Sequence, residues 1–207
     1  MYVAAFAMTK PTTPKPASQR SALHPLIVVL VGEPLSGKEV ASQYLVQRYG
    51  FVGFRFSKIL NDILGRLQLP VNRPNQTDLA NALRERFGGG VLADVVLREI
   101  AAGSYPRVVI DGLRHPAEFE SLRKLPGFVL VYLTAPLALR FARVKNRREK
   151  AGEHRFSLAD FKRDEKLPNE LFIQRLGRKA QVRLVNDKSL RDLHRQIEEQ
   201  VIQPYLT

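Results

Sequence analysis

From Leu26 onward, short unbroken apolar runs alternate with longer stretches in which apolar residues recur every three to four positions. The first pattern predicts strands buried on both faces and the second predicts amphipathic helices; their alternation predicts an α/β fold on a parallel sheet. Five strands are expected, at 26–31 (LIVVLV), 51–56 (FVGFRF), 107–111 (RVVID), 128–134 (FVLVYLT) and 182–186 (VRLVN). A helix from Gly37 to Tyr49 places Val40, Ala41, Tyr44, Leu45 and Tyr49 at helical spacing, with Gly50 as its C-terminal cap. Residues 58–103 hold several helices and no strand. One of these helices is expected to start from a Thr77 cap and to carry a stripe of Leu79, Leu83 and Phe87 up to the glycine break at 88–90. A last helix starts from a Ser189 cap.

A chain of 207 residues with 44% hydrophobic content suits one domain with a small insert. Residues 1–25 read as a solvated basic tail, because Thr9 to Pro25 is rich in proline, threonine and serine and holds no acidic residue. The opening MYVAAFAMTK is too short for a membrane span and has no basic region ahead of it, and Met8 is a second candidate start. No other segment is long enough to cross a bilayer. The formal charge of +13 calls for an anionic partner: nucleic acid, an anionic membrane surface or a phosphorylated small molecule. The chain has no cysteine, which excludes disulfides, thiolate zinc sites and thiol nucleophiles and fits a reducing cytoplasm.

The strongest chemical signal lies between the first strand and the first helix. Gly32, four residues, Gly37 and Lys38 form the pattern GxxxxGK in its strand-to-helix context. Glycines let successive N–H groups converge on phosphate oxygens, the helix N-terminus adds a favourable dipole, and Lys38 adds a point charge. The loop candidates are Gly32, Glu33, Pro34, Leu35, Ser36, Gly37, Lys38, Glu39 and Val40. Glu39 stands where a magnesium-binding hydroxyl is usual, and Val40 offers none; Ser36 is a hydroxyl within the loop. The departure bears on metal geometry more than on phosphate binding.

Asp111 ends the third strand and so lies at the carboxyl edge of the sheet, where ligands of open α/β sheets bind. There it suits magnesium, held through water, or proton acceptance; a turn-capping aspartate is the alternative. Arg114 follows at the same edge as a candidate substrate-binding residue, and His115 reads as a loop residue. Pro136 opens a helix in which Arg140, Arg143 and Arg147 share one narrow sector, while Leu137, Phe141 and Val144 face the core. Such a row can clamp a transferring phosphoryl group or can be a solvated basic face. Residues 148–168 are polar with a few apolar anchors and suit a lid that excludes water. Within that stretch Arg163 and Asp164 are adjacent and can orient one another.

These pieces resemble the P-loop nucleotide-kinase superfamily, which includes adenylate-kinase-like enzymes and dephospho-CoA kinase, over about Pro25 to Val201, and look most like uncharacterised kinase-like relatives within it. The resemblance rests on GEPLSGK, IDGLRHPAEFESLR, RFARVKNRR, FKRDE and VNDKSLRDLHRQI. It implies a three-layer P-loop fold over 26–207, with 58–103 as a helical acceptor-binding insertion and 148–168 as a lid. It further implies ATP and Mg2+ as cofactors and a phosphorylated small molecule as acceptor. By position it assigns Gly32, Gly37 and Lys38 to ATP phosphates and Asp111 to metal or acceptor. Arg84 goes to the acceptor, Arg140, Arg143 and Arg147 to phosphates, and Asn186 to the neighbourhood of adenine.

The leading expectation is an ATP-dependent phosphotransferase acting on a (deoxy)nucleoside monophosphate, ahead of a dephospho-CoA kinase-like activity. A nucleotide-binding regulator without efficient metal binding is a second class. Nucleic-acid binding is a third, and the scarcity of aromatics among the basic residues argues against it. The sequence leaves the oligomeric state open.

Overall fold

A computed structural model of the chain describes residues 25–146 and 157–206. It contains a five-stranded sheet in which every recorded pair is parallel, in the order β2-β3-β1-β4-β5. The strands are β1 (Leu26–Val31), β2 (Val52–Arg55), β3 (Arg107–Asp111), β4 (Phe128–Thr134) and β5 (Val182–Val185). The second and fifth are shorter than their apolar runs. Phe56, expected to end β2, instead opens the next helix and is buried there.

Alternate residues of the central strands feed two separate cores, as a strand covered on both faces requires. Ile27, Val29 and Val31 pack on one side against α2 (Phe56–Arg66), α3 (Arg73–Phe87), α4 (Val91–Gly103), α5 (Pro116–Leu122) and α8 (Pro168–Gly177). Leu26, Val28 and Leu30 pack on the other side against α1 (Lys38–Tyr49), α9 (Leu190–Ile197) and the π-helical turn Glu198–Ile202. Two helices, α6 (Leu137–Asn146) and α7 (Leu158–Asp164), follow β4. A short α10 (Gln203–Leu206) closes the chain.

The helix ends show where local chemistry decided. Gly50 is left-handed and returns its N–H to the last turn of α1, and Ser189 caps α9, both as expected. Thr77 does not cap. Asn72 does, accepting from Asn75 N–H, and the helix therefore starts at Arg73; Pro74 in the first turn is pre-set for that start. The Thr77 hydroxyl instead donates to the Arg73 carbonyl within the helix. Leu79 and Leu83 pack on the core, but Phe87 is exposed. Helix α8 carried no expectation from the sequence. Most of the expected lid's first half, 148–156, lies outside the described residues, as does the tail up to residue 24. Among the described residues no helix is long and apolar enough to cross a membrane.

Candidate functional site

β1 is the strand at which the chain turns from one half of the sheet to the other, with β3 on one side and β4 on the other. A ligand crevice is expected outside its carboxyl end, and the glycine loop fills that position. Two of its glycines are there for space. A Cβ on Gly32 would come within 1.9 Å of the Leu133 carbonyl oxygen, and one on Gly37, at φ 108°, within 2.3 Å of the Asn186 side-chain amide. Leu35 is left-handed at φ 63°. The loop is braced from outside. Arg143 donates to the Leu35 carbonyl at 3.0 Å and to that of Asn186 at 3.2 Å, and Asn186 Nδ2 donates to the Ser36 carbonyl at 2.8 Å. The Leu35 and Ser36 carbonyls are thus satisfied, while the first N–H groups of α1 carry the positive end of the helix dipole. Asn186, expected beside adenine, lies against the loop itself.

Lys38 curls back on the loop, donating to the Gly32 and Glu33 carbonyls at 2.9 Å each. Burial, and then repulsion from Arg114, bring its ammonium down to about 8, against attraction by Asp111, Glu170 and Glu33. Glu33 points its side chain at β4: Tyr132 and Thr134 donate hydroxyls to Oε1, while Oε2 is buried without a hydrogen bond. Burial and this carboxylate push the Tyr132 phenol up. Ser36 is fully buried and its hydroxyl has no partner. Pro34 is half-buried and Val40 is exposed.

Glu39 accepts from Arg55 at 2.9 Å, and Arg55 Nε lies 3.6 Å from Asp111 Oδ2. The carboxylate that replaces the usual hydroxyl therefore holds a cation. Arg55 and Asp111 end adjacent strands as register partners, which is why the two side chains meet. The other Asp111 oxygen, Oδ1, is buried and has no hydrogen bond. Beside this chain of charges opens a cleft of about 380 Å³ lined by Glu39, Ser42, Arg55, Ser57, Lys58 and Asn61 among others.

Across the edge, Glu118 is fully buried. It takes the Nε and Nη2 of Arg84 at 3.1 and 2.7 Å and the backbone N–H groups of Arg114 and His115 at 3.1 Å. His115 caps α5, its Nδ1 accepting from Ala117 N–H. The Arg114 guanidinium turns to Glu170, 3.5 Å away, which also faces Arg73 at 3.6 Å. Arg140 is buried beneath α7: it donates to the Ala135 carbonyl at 2.8 Å, pairs with Glu165 and lies over the Phe161 ring. Phe141 packs on Phe161 and Val144 is buried. Arg163 pairs with Asp160, its partner one turn back in the helix and not the adjacent Asp164. Arg147 lies outside the described residues.

The structure thus brings Lys38, Asp111 and Arg114 to one edge and gives Arg84, Arg140 and Arg143 protein partners. Arg55, Arg73 and Glu170 were missed from sequence. Arg55 had a signal, since it ends a strand just as Asp111 does. Glu170 had a weaker one, an acid two positions after the Pro168 that opens a helix.

A glycine loop at the switch strand of a parallel 2-3-1-4-5 sheet, with a lysine at its end, defines the three-layer α/β fold of the P-loop kinase-like superfamily. The chain belongs to the UPF0200 family. It is 31% identical over 127 residues to the UPF0200 protein of Hyperthermus butylicus, covering 61% of this chain and 68% of that one. A UPF0200 protein of Methanosarcina mazei is 35% identical over 123 residues, and the match spans 58% of this chain but only 65% of the relative. No protein-family profile matches the chain. Among solved structures, TT1252 from Thermus thermophilus aligns with a TM-score of 0.58 at 18% identity, over 88% of this chain and 97% of that one. Shikimate kinase from Aquifex aeolicus aligns with 0.53 at 16%, over 87% and 99%. At these identities the likeness is one of fold.

Proposed function

We propose that this protein is an ATP-dependent phosphotransferase that moves the γ-phosphoryl group to a nucleotide-like acceptor, a (deoxy)nucleoside monophosphate before dephospho-CoA. The observation that carries this reading is Asp111 Oδ1, a buried carboxylate oxygen without a partner, at the strand edge beside a braced glycine loop. A phosphate-binding module without chemistry has no use for such a group, whose burial is costly.

In this reading the loop from Gly32 to Glu39 and the N-terminus of α1 bind the β- and γ-phosphates of ATP. Lys38 leaves its two carbonyls for phosphate oxygens and regains its full charge there. Where the acceptor is a hydroxyl, as in dephospho-CoA, Asp111 would accept its proton. A nucleoside monophosphate attacks through a phosphate oxygen with no proton to remove, and there Asp111 would serve the metal instead, as the new P–O bond forms and the bond to the ADP oxygen breaks. Arg55 and Arg114 approach the transferring group from the two sides of Asp111. Arg84 acts through Glu118, holding the backbone that carries Arg114, and Arg143 acts through the loop.

Magnesium fits this edge. Asp111 Oδ1 is a hard, buried oxygen without a hydrogen bond, of the kind that would hold the ion together with phosphates and water. Held by Asp111, it would supply neutralisation of phosphate charge.

The test is ADP release from ATP and magnesium across a panel of nucleoside monophosphates and dephospho-CoA. Acceptor-dependent ADP from one of them is expected. If no acceptor stimulates ADP release while ATP still binds, the protein is a nucleotide-binding regulator and this proposal fails.

A further inference from the structure

Glu170 is only 5% exposed, sits in the first turn of α8, and lies among three cations, Lys38, Arg73 and Arg114. Its surroundings are unlike those of a structural carboxylate. Glu118, in the same region, takes hydrogen bonds from Arg84 down to 2.7 Å together with two backbone N–H groups. Glu170 Oε2 is buried and has no hydrogen bond, and its arginines stand 3.5 and 3.6 Å away. Charge-assisted hydrogen bonds between guanidinium and carboxylate normally close to about 2.7–2.9 Å. A buried carboxylate therefore holds two guanidinium groups at a distance that neither satisfies it nor engages their forks.

We infer that Glu170 is an internal counter-anion, holding Arg73 and Arg114 in the free protein where an anionic group of the acceptor takes its place on binding. The two arginines come from different elements, Arg73 from the start of α3 and Arg114 from the segment between β3 and α5. A single carboxylate with two oxygens reaches one nitrogen of each. A phosphoryl group, with three oxygens and more negative charge, matches two planar five-donor forks better. Both arginines retain solvent access, 43% for the Arg73 side chain and 28% for Arg114, so an entering anion can reach them. Glu170 thereby keeps the cations from repelling one another before the acceptor arrives and competes with weak anions. Its helix follows directly on α7, whose Phe161 and neighbouring Glu165 are tied to Arg140. The inference rests on the proposed function only in making the acceptor the carrier of the anion.

The test uses the full chain with inorganic phosphate as probe, its affinity measured by calorimetry with ATP present to fill the loop. Glu170→Gln is expected to bind phosphate at least about fivefold more tightly than wild type, the low end of ordinary couplings between linked groups. Adding Arg73→Met to Glu170→Gln should remove that gain. Unchanged or weaker phosphate binding in Glu170→Gln overturns the inference, as does a gain that survives Arg73→Met, because the anion then sits elsewhere. Should Glu170→Gln not fold, Glu170→Asp keeps the charge but shortens its reach, and an intermediate gain is expected; no gain is again fatal. Nucleoside monophosphates in the same assay separate the two proposals. Tighter phosphate without monophosphate or dephospho-CoA binding supports the counter-anion and removes the acceptor reading.

Discussion

On the glycine-loop side of the crevice the contacts that brace the loop end on its backbone. Arg143 and Asn186 hold the carbonyls of Leu35 and Ser36, and Lys38 folds onto those of Gly32 and Glu33. On the Asp111 side, Arg55 stands 3.6 Å from Asp111 and Glu170 stands 3.5–3.6 Å from its two arginines. Buried carboxylate oxygens without a hydrogen bond occur on both sides, Glu33 Oε2 by the loop and Asp111 Oδ1 and Glu170 Oε2 on the Asp111 side. The exception on that side is the Glu118 joint. Backbone-anchored contacts cannot slip without refolding the loop, whereas side-chain charges at longer range exchange partners at small cost. One side is held through its backbone, and the other through longer-range charge pairs.

The largest effect should come from the exception. Glu118→Ala leaves Arg84 buried and unpaired, a loss of about 3–5 kcal/mol in urea unfolding; a loss below 1 kcal/mol would make the Asp111 side loose throughout. Lys38→Met should lower acceptor-dependent turnover by about 10²–10³-fold, the scale of losing one preorganised charge at the transferring group, with folding stability kept. Lys38 also sets a pH signature. The free protein loses this proton as pH rises through about 8, whereas a phosphate ligand favours the charged form and the unfolded chain keeps the proton to near 10.5. Nucleotide affinity should therefore fall above that pH by up to about tenfold per unit. Calorimetry in buffers of different ionisation heat should show proton uptake on binding, and the same linkage makes folding stability rise with pH across this window.

Arg143→Met removes the brace but not the cradle. Nucleotide affinity should weaken by about 1.5–3 kcal/mol, the range of hydrogen bonds from a charged donor, and unchanged affinity would mean that Asn186 alone preorganises the loop. Glu39→Thr is the smallest change, because the Glu39–Arg55 pair is about one-third exposed on each side and such pairs contribute about 0–1 kcal/mol. Turnover should fall by less than about fivefold as Arg55 loses its tether. A rise would show instead that the missing hydroxyl limits the site.

Much of the fold was legible because it rests on patterns local to the chain. The apolar runs at 26, 107 and 128 could only be central strands, and GxxxxGK between strand and helix needs no partner to be read. Thr77 misled because capping is a competition: Asn72, with Pro74 behind it, won a turn earlier. The row of Arg140 and Arg143 misled in another way. Their common sector is real, but whether an arginine in it meets solvent, a carbonyl or a glutamate depends on what packs over it, and α7 covers Arg140.

By itself, then, the sequence determined the alternation of strands and helices, the position of the phosphate loop and the placing of Asp111 at a strand end. Each of these follows from periodicity or from spacing within one segment. Only the tertiary structure decided that Glu39 pairs with Arg55, that Arg143 braces the loop, and that Glu170 stands between Arg73 and Arg114. Those partners lie 16, 107 or 108, and 56 to 97 positions apart. Their charges become neighbours only when β2 pairs with β3 and α8 packs beside the edge.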